Sequence, residues 1–132
     1  MTTRRLIVLT LAAMTLSGPA FAASRGIHRM RRFDTDNDGM LDLAEAKKAA
    51  SALFARLDHN HDGTLNVREL HGRLNTKDLA AADRDHDGTL TLDEYLAIVE
   101  QRFNAADLNE DGRLSIRELS LHNGRALARL LR

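Results

Sequence analysis

Apolar residues recur at helical spacing in two segments of this chain, residues 43–57 and residues 92–106. The stripe in the first segment consists of Leu43, Ala46, Ala50, Leu53, Phe54 and Leu57. The stripe in the second consists of Tyr95, Leu96, Val99, Phe103 and Ala106. Apolar residues three and four positions apart lie on one face of an α-helix, and alanine favours that conformation. Each segment therefore predicts one amphipathic helix, and the first would be about 22 Å long at 1.5 Å per residue.

The segment between residues 70 and 82 lacks this continuity. Gly72 lies near its middle, and Asn75 followed by Thr76 is typical of the start of a helix. The pattern predicts two short turns of helix, with a hinge between two halves of the protein as one consequence. A continuous helix that tolerates the glycine is the alternative.

Both ends of the helical region carry apolar residues among arginines. An incoming helix with a basic exterior is predicted over residues 24–33, on the apolar face formed by Ile27, Met30 and Phe33. The C-terminal stripe, interrupted at Asn123 and Gly124, consists of Ile116, Leu119, Leu127, Leu130 and Leu131. This stripe favours a final exit helix with solvated arginines. The alternative is a basic amphipathic tail that contacts anionic lipid or fills the protein's own hydrophobic groove.

Four polar stretches of twelve residues lie between and beside the helical segments, and they share one design. Each carries side-chain oxygens at positions 1, 3, 5, 9 and 12 and a glycine at position 6. Only 12 or 13 residues separate one stretch from the next. In chain order, loops one to four are residues 34–45, 58–69, 83–94 and 107–118.

The oxygens of these loops fit a hard dication such as Ca²⁺, which takes about six to eight oxygen ligands from positions 1, 3, 5, 7, 9 and 12 of such a loop. Position 7 contributes its main-chain carbonyl, so its side chain is unrestricted. The candidate ligands of loop one are Asp34, Asp36, Asp38, Met40, Asp42 and Glu45. Those of loop two are Asp58, Asn60, Asp62, Thr64, Asn66 and Glu69. Those of loop three are Asp83, Asp85, Asp87, Thr89, Thr91 and Glu94. Those of loop four are Asp107, Asn109, Asp111, Arg113, Ser115 and Glu118.

The repeated pattern D-x-[DN]-x-D-G-x5-E resembles the EF-hand superfamily, and the four copies with their flanking helices cover nearly all of the chain beyond residue 22. The resemblance implies an all-α fold of four helix–loop–helix units and up to four bound Ca²⁺ ions. Fifteen of the nineteen acidic residues occupy positions 1, 3, 5, 9 or 12 of the loops. Solubility alone would not require that placement.

The short spacing between loops departs from a calmodulin-like protein, which has room there for two helices and a linker. One shared helix would place consecutive loops at its opposite ends, so loops one and two would not pair with each other. We predict pairing of loop one with loop three and of loop two with loop four. Leucine at position 8 of every loop suits a short apolar bridge between paired loops: Leu41, Leu65, Leu90 and Leu114.

The N-terminus carries the features of a secretory signal. A basic start is followed by an apolar run over residues 6–16 and by small residues that end at Ala20, Phe21 and Ala22. We expect cleavage after Ala22, a mature EF-hand domain of residues 23–132, and a periplasmic or secreted location. A retained membrane anchor is the alternative. The chain contains no cysteine, which excludes disulfides and a lipid-attachment cysteine.

The net charge of the mature chain should change sign when calcium binds. Cleavage would remove Arg4 and Arg5 and leave 17 basic against 19 acidic residues, a formal charge of −2. Four Ca²⁺ ions would reverse that sign and change the electrostatic field that the protein presents to partners.

The sequence contains no nucleophile motif and no phosphate-binding loop, so we do not expect an enzyme. We also expect no nucleic-acid partner. His59, His61 and His86 stand at loop positions 2 and 4 without zinc spacing; exposed histidines are expected, and a second metal site or mild pH sensitivity is the alternative.

Two functional classes remain open. A calcium sensor exposes an apolar groove, often rich in methionine, when it binds the ion. The mature chain contains only Met30 and Met40, which favours a calcium buffer or a calcium-stabilised binding protein over a sensor, and we expect its folding to depend on the ion. The alternative is an interaction module similar to dockerins, whose calcium loops dock onto a protein partner, although dockerins carry two repeats and this chain carries four.

Overall fold

A computed structural model describes residues 30–132 of the protein. The predicted signal segment and residues 24–29 of the predicted incoming helix lie outside the described residues. The helices within residues 30–132 are α1 (Leu43–Leu57), α2 (Thr76–Ala82), α3 (Leu92–Ala106), α4 (Ile116–Ser120) and α5 (His122–Leu130). The strands are β1 (Leu41–Asp42), β2 (Thr64–Asn66), β3 (Thr89–Thr91) and β4 (Arg113–Leu114). None of these helices is long and apolar enough to cross a membrane.

The two long helices occupy the two segments that the apolar stripes predict. Helix α1 joins loop one to loop two without a break, and α3 joins loop three to loop four. Their stripes are buried except for Leu43 and Leu96, which are partly buried. The two helices pack against each other, and the rings of Phe54 and Tyr95 meet edge to face with their centroids 5.9 Å apart.

Each long helix begins inside a calcium loop, because loop positions 9 and 12 also form a capping box. At the start of α1, the side chain of Asp42 accepts the N–H of Glu45, and the Glu45 side chain accepts the N–H of Asp42. Thr91 and Glu94 repeat this exchange at the start of α3. Such a pair satisfies main-chain donors that would otherwise lack partners at a helix start.

The middle connector is broken, as the sequence predicts. From the end of loop two the chain forms turns over residues 67–72, with Gly72 at a φ of +72°. Helix α2 then starts after Asn75, whose side chain accepts the N–H of Asp78. The strands on either side of this connector, β2 and β3, pair antiparallel, so the chain reverses direction between them.

The loops pair differently from the prediction of one with three and two with four. Strand β1 of loop one pairs antiparallel with β4 of loop four, and β2 of loop two pairs antiparallel with β3 of loop three. The break at Gly72 explains the difference, because a reversal there brings loops two and three together. The uninterrupted helices α1 and α3 then carry loops one and four to the other end. Each sheet has a pair of buried leucines at its centre, as predicted: Leu41 opposite Leu114 and Leu65 opposite Leu90.

The C-terminal segment forms two helices, and the break lies at Leu121 instead of at Asn123 and Gly124. Gly124 belongs to α5, where it faces the main chain of α4; a Cβ at this position would overlap Glu118 and Leu119. The glycine therefore permits a close helix crossing and does not end a helix. Helix α5 packs on α3 with Leu127 and Leu130 buried and with Arg125 and Arg129 exposed.

Candidate metal centres

The same backbone turn shapes all four loops. The residue at position 4 has a φ between +57° and +59°, and the glycine at position 6 has a φ between +78° and +82°. Two left-handed residues so close together fold the chain back, and glycine adopts that conformation without the cost that a Cβ imposes. The position 4 residues are Asn37, His61, His86 and Glu110.

This turn directs main-chain N–H groups at the carboxylate of position 1. In loop one, Asp38 N and Gly39 N donate to the two oxygens of Asp34 over 3.1 and 3.0 Å. The corresponding glycine N–H donates to Asp58, Asp83 and Asp107 over 3.0, 2.8 and 2.9 Å. The position 1 carboxylate is thus held at a fixed place on the inside of each loop.

Position 5 is held in a matching way. Its carboxylate accepts the N–H of the position 7 residue over 2.8 Å in every loop, from Met40, Thr64, Thr89 and Arg113. This bond uses Oδ1 of each aspartate. In loops two and four, Oδ2 accepts the side-chain amide of the asparagine at position 3, namely Asn60 and Asn109.

The glutamate at position 12 closes each loop, and all four glutamates are 7–8 % exposed. In loop one, Oε1 of Glu45 accepts Thr35 N over 2.6 Å, and Oε2 accepts Asp42 N over 3.1 Å. Glu94 and Glu118 accept the N–H of Arg84 and Leu108 in the same manner. In loops one, three and four the glutamate therefore connects position 2 of the loop to the start of the following helix, while Glu69 of loop two accepts the N–H of Asn66.

Loops one and three each gather three carboxylates into one cluster. The oxygens of positions 1, 3 and 12 lie within 4.8 Å of one another in both loops, where these positions are Asp34, Asp36 and Glu45, and Asp83, Asp85 and Glu94. Loops two and four carry asparagine at position 3, so they lack the third carboxylate. No arginine or lysine forms an ion pair with these six carboxylates among the bridges within residues 30–132. Closely spaced carboxylates with inward-facing oxygens fit a hard dication.

The pKa values of the position 3 aspartates, Asp36 and Asp85, are raised in these clusters. The N–H of Asp38 lowers the pKa of Asp36, but desolvation and the charges of Asp38 and Glu45 outweigh that bond and raise the pKa of Asp36 above its ordinary value. A hydrogen bond shared with Asp83 raises the pKa of Asp85. A bound cation would favour the ionised form of both aspartates and offset the repulsion between neighbouring carboxylates.

The pKa values of the position 12 glutamates in loops three and four move the other way. The N–H groups of Thr91 and Ser115 lower the pKa of Glu94 and of Glu118, respectively, against the effect of desolvation. The lowered pKa favours the ionised form of both glutamates, which is the form that binds a cation through two oxygens.

The structure brings the carboxylates of positions 1, 3 and 12 together in loops one and three, and in all four loops it gives position 9 a second task. The side chains of Asp42, Asn66, Thr91 and Ser115 all accept the N–H of the glutamate three residues later. The histidines at positions 2 and 4 are exposed and take no part in the carboxylate clusters.

One contact at the sites was missed from the sequence. The guanidinium Nη1 of Arg113 in loop four lies 2.9 Å from Oδ2 of Asp38 in loop one. The pattern of a single loop gives no signal for this contact, because Arg113 occupies a position where only the main chain is expected to bind. The contact depends on the pairing of loops one and four.

Comparison with known proteins agrees with this geometry. The family model described as EF hand matches the chain four times, over residues 27–48, 51–72, 76–99 and 98–121. A curated relative, lanmodulin from Methylorubrum extorquens, is 45 % identical over 76 residues. That alignment covers 56 % of this chain and 57 % of the relative, so the chain matches little more than half the length of that protein.

Proposed function

Because this chain belongs to the EF-hand family, whose loops bind Ca²⁺, we propose that it acts as an exported calcium buffer whose folding depends on the ion. The observation that carries this proposal is a buried or partly buried aspartate at position 1 and a buried glutamate at position 12 in all four loops. Loops one and three hold three carboxylates within 4.8 Å of one another. Such groups are costly to keep together without a cation.

The covered apolar surface supports a buffer over a sensor. A sensor binds its target through a hydrophobic groove that opens with the ion. Here the apolar side of α3 is covered by α5, and Leu127 and Leu130 are fully buried in the contact. The large apolar residues that stay exposed within residues 30–132 are Val67, Leu92, Leu108 and Leu121. None of them is a methionine or an aromatic residue.

The position of α5 also bears on membrane contact. An amphipathic helix binds lipid through its apolar face, but that face of α5 is packed against the core. Its exposed arginines, Arg125 and Arg129, leave only an electrostatic attraction to an anionic surface. A protein partner of the dockerin type would instead need a docking surface that forms with the ion.

Fluorescence of a hydrophobic dye, measured in chelator and then in millimolar calcium, distinguishes these functions. For a buffer that folds with the ion, calcium should leave the signal unchanged or lower it, because folding covers apolar groups. A large rise on calcium addition would identify a sensor. Calcium-dependent capture of a defined partner, without a rise in dye signal, would favour the dockerin-like module.

Export is the part of the proposal supported by the N-terminal sequence. The basic start, the apolar run and the Ala20-Phe21-Ala22 end are typical of a cleaved signal. Intact-mass analysis of the natural product should give a chain that begins at Ala23. Full-length protein recovered from the cytosol would contradict export. Outside a cell, calcium is abundant enough to fill even sites with dissociation constants of about 10⁻⁴ to 10⁻³ M.

A further inference from the structure

Arg113 connects two calcium loops that are far apart in sequence. It stands at position 7 of loop four, and the pairing of β1 with β4 sets it opposite Asp42, at position 9 of loop one. From there its Nη1 reaches Oδ2 of Asp38 over 2.9 Å. The charged end of a loop four residue thus lies against a candidate ligand of loop one.

Arg113 contacts the oxygen of Asp38 that does not bond to the main chain of its own loop. Oδ1 of Asp38 already accepts the N–H of Met40 over 2.8 Å. The guanidinium donates to Oδ2, so each oxygen of Asp38 accepts one hydrogen bond. A dication that binds Asp38 would share this carboxylate with the Arg113 guanidinium, and their positive charges repel each other.

The other pair of loops provides a contrast within the same protein. The residues equivalent to Arg113 in loops two and three are Thr64 and Thr89, which carry no charge. Their hydroxyls donate to Asp62 and Asp87 in their own loops over 2.8 and 2.7 Å. Among the ion pairs within residues 30–132, the one that joins two calcium loops is Arg113 with Asp38.

The Arg113 guanidinium lies beside the most acidic loop. Loop one carries carboxylates at all five side-chain positions, Asp34, Asp36, Asp38, Asp42 and Glu45. Without a bound ion these groups repel one another, and a positive charge nearby offsets part of that repulsion. The same positive charge opposes the arrival of Ca²⁺.

We propose that Arg113 is an affinity-setting residue for loop one, because it substitutes for part of the ion's charge at Asp38 in the metal-free protein and weakens calcium binding there. This inference rests on calcium binding by loop one and is independent of the buffer role. It predicts two effects of opposite sign: loss of Arg113 makes the metal-free protein less stable and makes loop one bind calcium more tightly.

Amide resonances resolve the four sites in the intact chain. The glycine N–H at position 6 of each loop donates to the position 1 carboxylate, so the amides of Gly39, Gly63, Gly88 and Gly112 each report one loop. A calcium titration followed by ¹H–¹⁵N NMR would compare wild type with Arg113→Gln. The matched control is Arg117→Gln, which removes the same charge from an exposed position of loop four.

In Arg113→Gln, the Gly39 transition should move to a calcium concentration about two- to fivefold lower, the range that exposed ion pairs support. The Gly63 and Gly88 transitions should stay in place, and the shift at Gly39 should shrink at high salt. In chelator, Arg113→Gln should have a lower helix content or a lower melting temperature than both wild type and Arg117→Gln.

The inference is overturned if Gly39 titrates in the wild type and does not move in Arg113→Gln, or if Arg117→Gln moves it equally. A wild-type Gly39 amide that does not respond to calcium would overturn the loop one site as well. A metal-free Arg113→Gln protein as stable as wild type would show that the contact with Asp38 does not offset the repulsion in loop one.

Discussion

The hydroxyl of Tyr95 on α3 donates a 2.6 Å hydrogen bond to the main-chain oxygen of Leu130 at the end of α5. Both residues are fully buried, and Tyr95 is the single tyrosine of the chain. Two further contacts hold the same helix: Arg102 donates to Ala126 O, and Asn123 donates to Ala105 O. The covered apolar face of α3 therefore depends on polar bonds as well as on leucine packing.

Replacing Tyr95 with phenylalanine should lower the free energy of unfolding by about 1–3 kcal/mol, because the buried oxygen of Leu130 then loses its donor. The measurement is urea unfolding in saturating calcium. Ser120→Ala is the control, since the exposed Ser120 hydroxyl bonds only within its own helix and should change little. Equal effects of the two substitutions would contradict a special role for the bond to Leu130.

The same residue predicts how stability depends on alkaline pH. Burial raises the pKa of Tyr95 to about 12 from an ordinary value of 10.0. A raised pKa in the folded state means that its contribution is complete below pH 10 and is lost as the pH rises toward 12. Wild type should lose more stability than Tyr95→Phe across this window. Absorbance of the single tyrosine should show ionisation in the folded protein well above pH 10; ionisation at the ordinary value would contradict the burial.

The sequence predicts the local structure of this protein better than its long-range pairing. The stripe around Phe54 specifies α1 because its burial needs only a helix of known period. Loop pairing depends on where the chain reverses, and a glycine such as Gly72 is compatible with either a broken or a continuous helix. The contact of Arg113 with Asp38 follows from that pairing, so the sequence does not predict this contact either. Gly124 shows the opposite difficulty, because a glycine that permits close packing resembles one that ends a helix.

Gly124→Ala should destabilise the protein by about 1–3 kcal/mol, the usual cost of overpacking. The added Cβ would meet the main chain of Glu118 and Leu119, so α5 must move away from α4. Because Glu118 closes loop four, calcium binding at that loop should weaken too. Thermal melting and calorimetry would measure both effects, with exposed Arg125→Ala as the control on the same helix. A Gly124→Ala protein with unchanged loop four affinity would show that the two helices adjust without disturbing Glu118.

The loops should differ in affinity according to their carboxylates. Loop one has five at its side-chain positions, loop three has four, and loops two and four have three each. Charge tunes the affinity of such loops, although crowded carboxylates also repel one another. We expect loops one and three to bind more tightly than loops two and four, with Arg113 reducing the advantage of loop one without removing it.

Calorimetric titration of four matched variants tests this ranking, each with glutamine at position 12 of one loop: Glu45→Gln, Glu69→Gln, Glu94→Gln and Glu118→Gln. Each should remove one site, and the changes in loops one and three should remove the tighter ones. Greater loss of total binding in Glu118→Gln than in Glu45→Gln would contradict the ranking.

Calcium should also decide whether the protein is folded. The core is small: its aromatic residues within 30–132 are Phe33, Phe54, Tyr95 and Phe103, and several of its helical contacts are made by alanine. Domains of this size have about 5–15 kcal/mol of stability, and the isolated helices are too short to persist in water. Binding to the folded form adds about 2.7 kcal/mol per site at a hundredfold excess over the dissociation constant. Four such sites are comparable to the whole stability of a small domain.

Far-ultraviolet circular dichroism and thermal melting in chelator, in magnesium and in millimolar calcium test this coupling. We expect low helix content or a low melting temperature in chelator and a large increase with calcium. Magnesium should stabilise less, because it prefers a smaller octahedral site and gives up its water reluctantly. If the metal-free protein is already fully helical and melts within a few degrees of the calcium form, its leucine core is sufficient alone. The loops would then be ion sites on a rigid scaffold, and the buffer role would no longer involve folding.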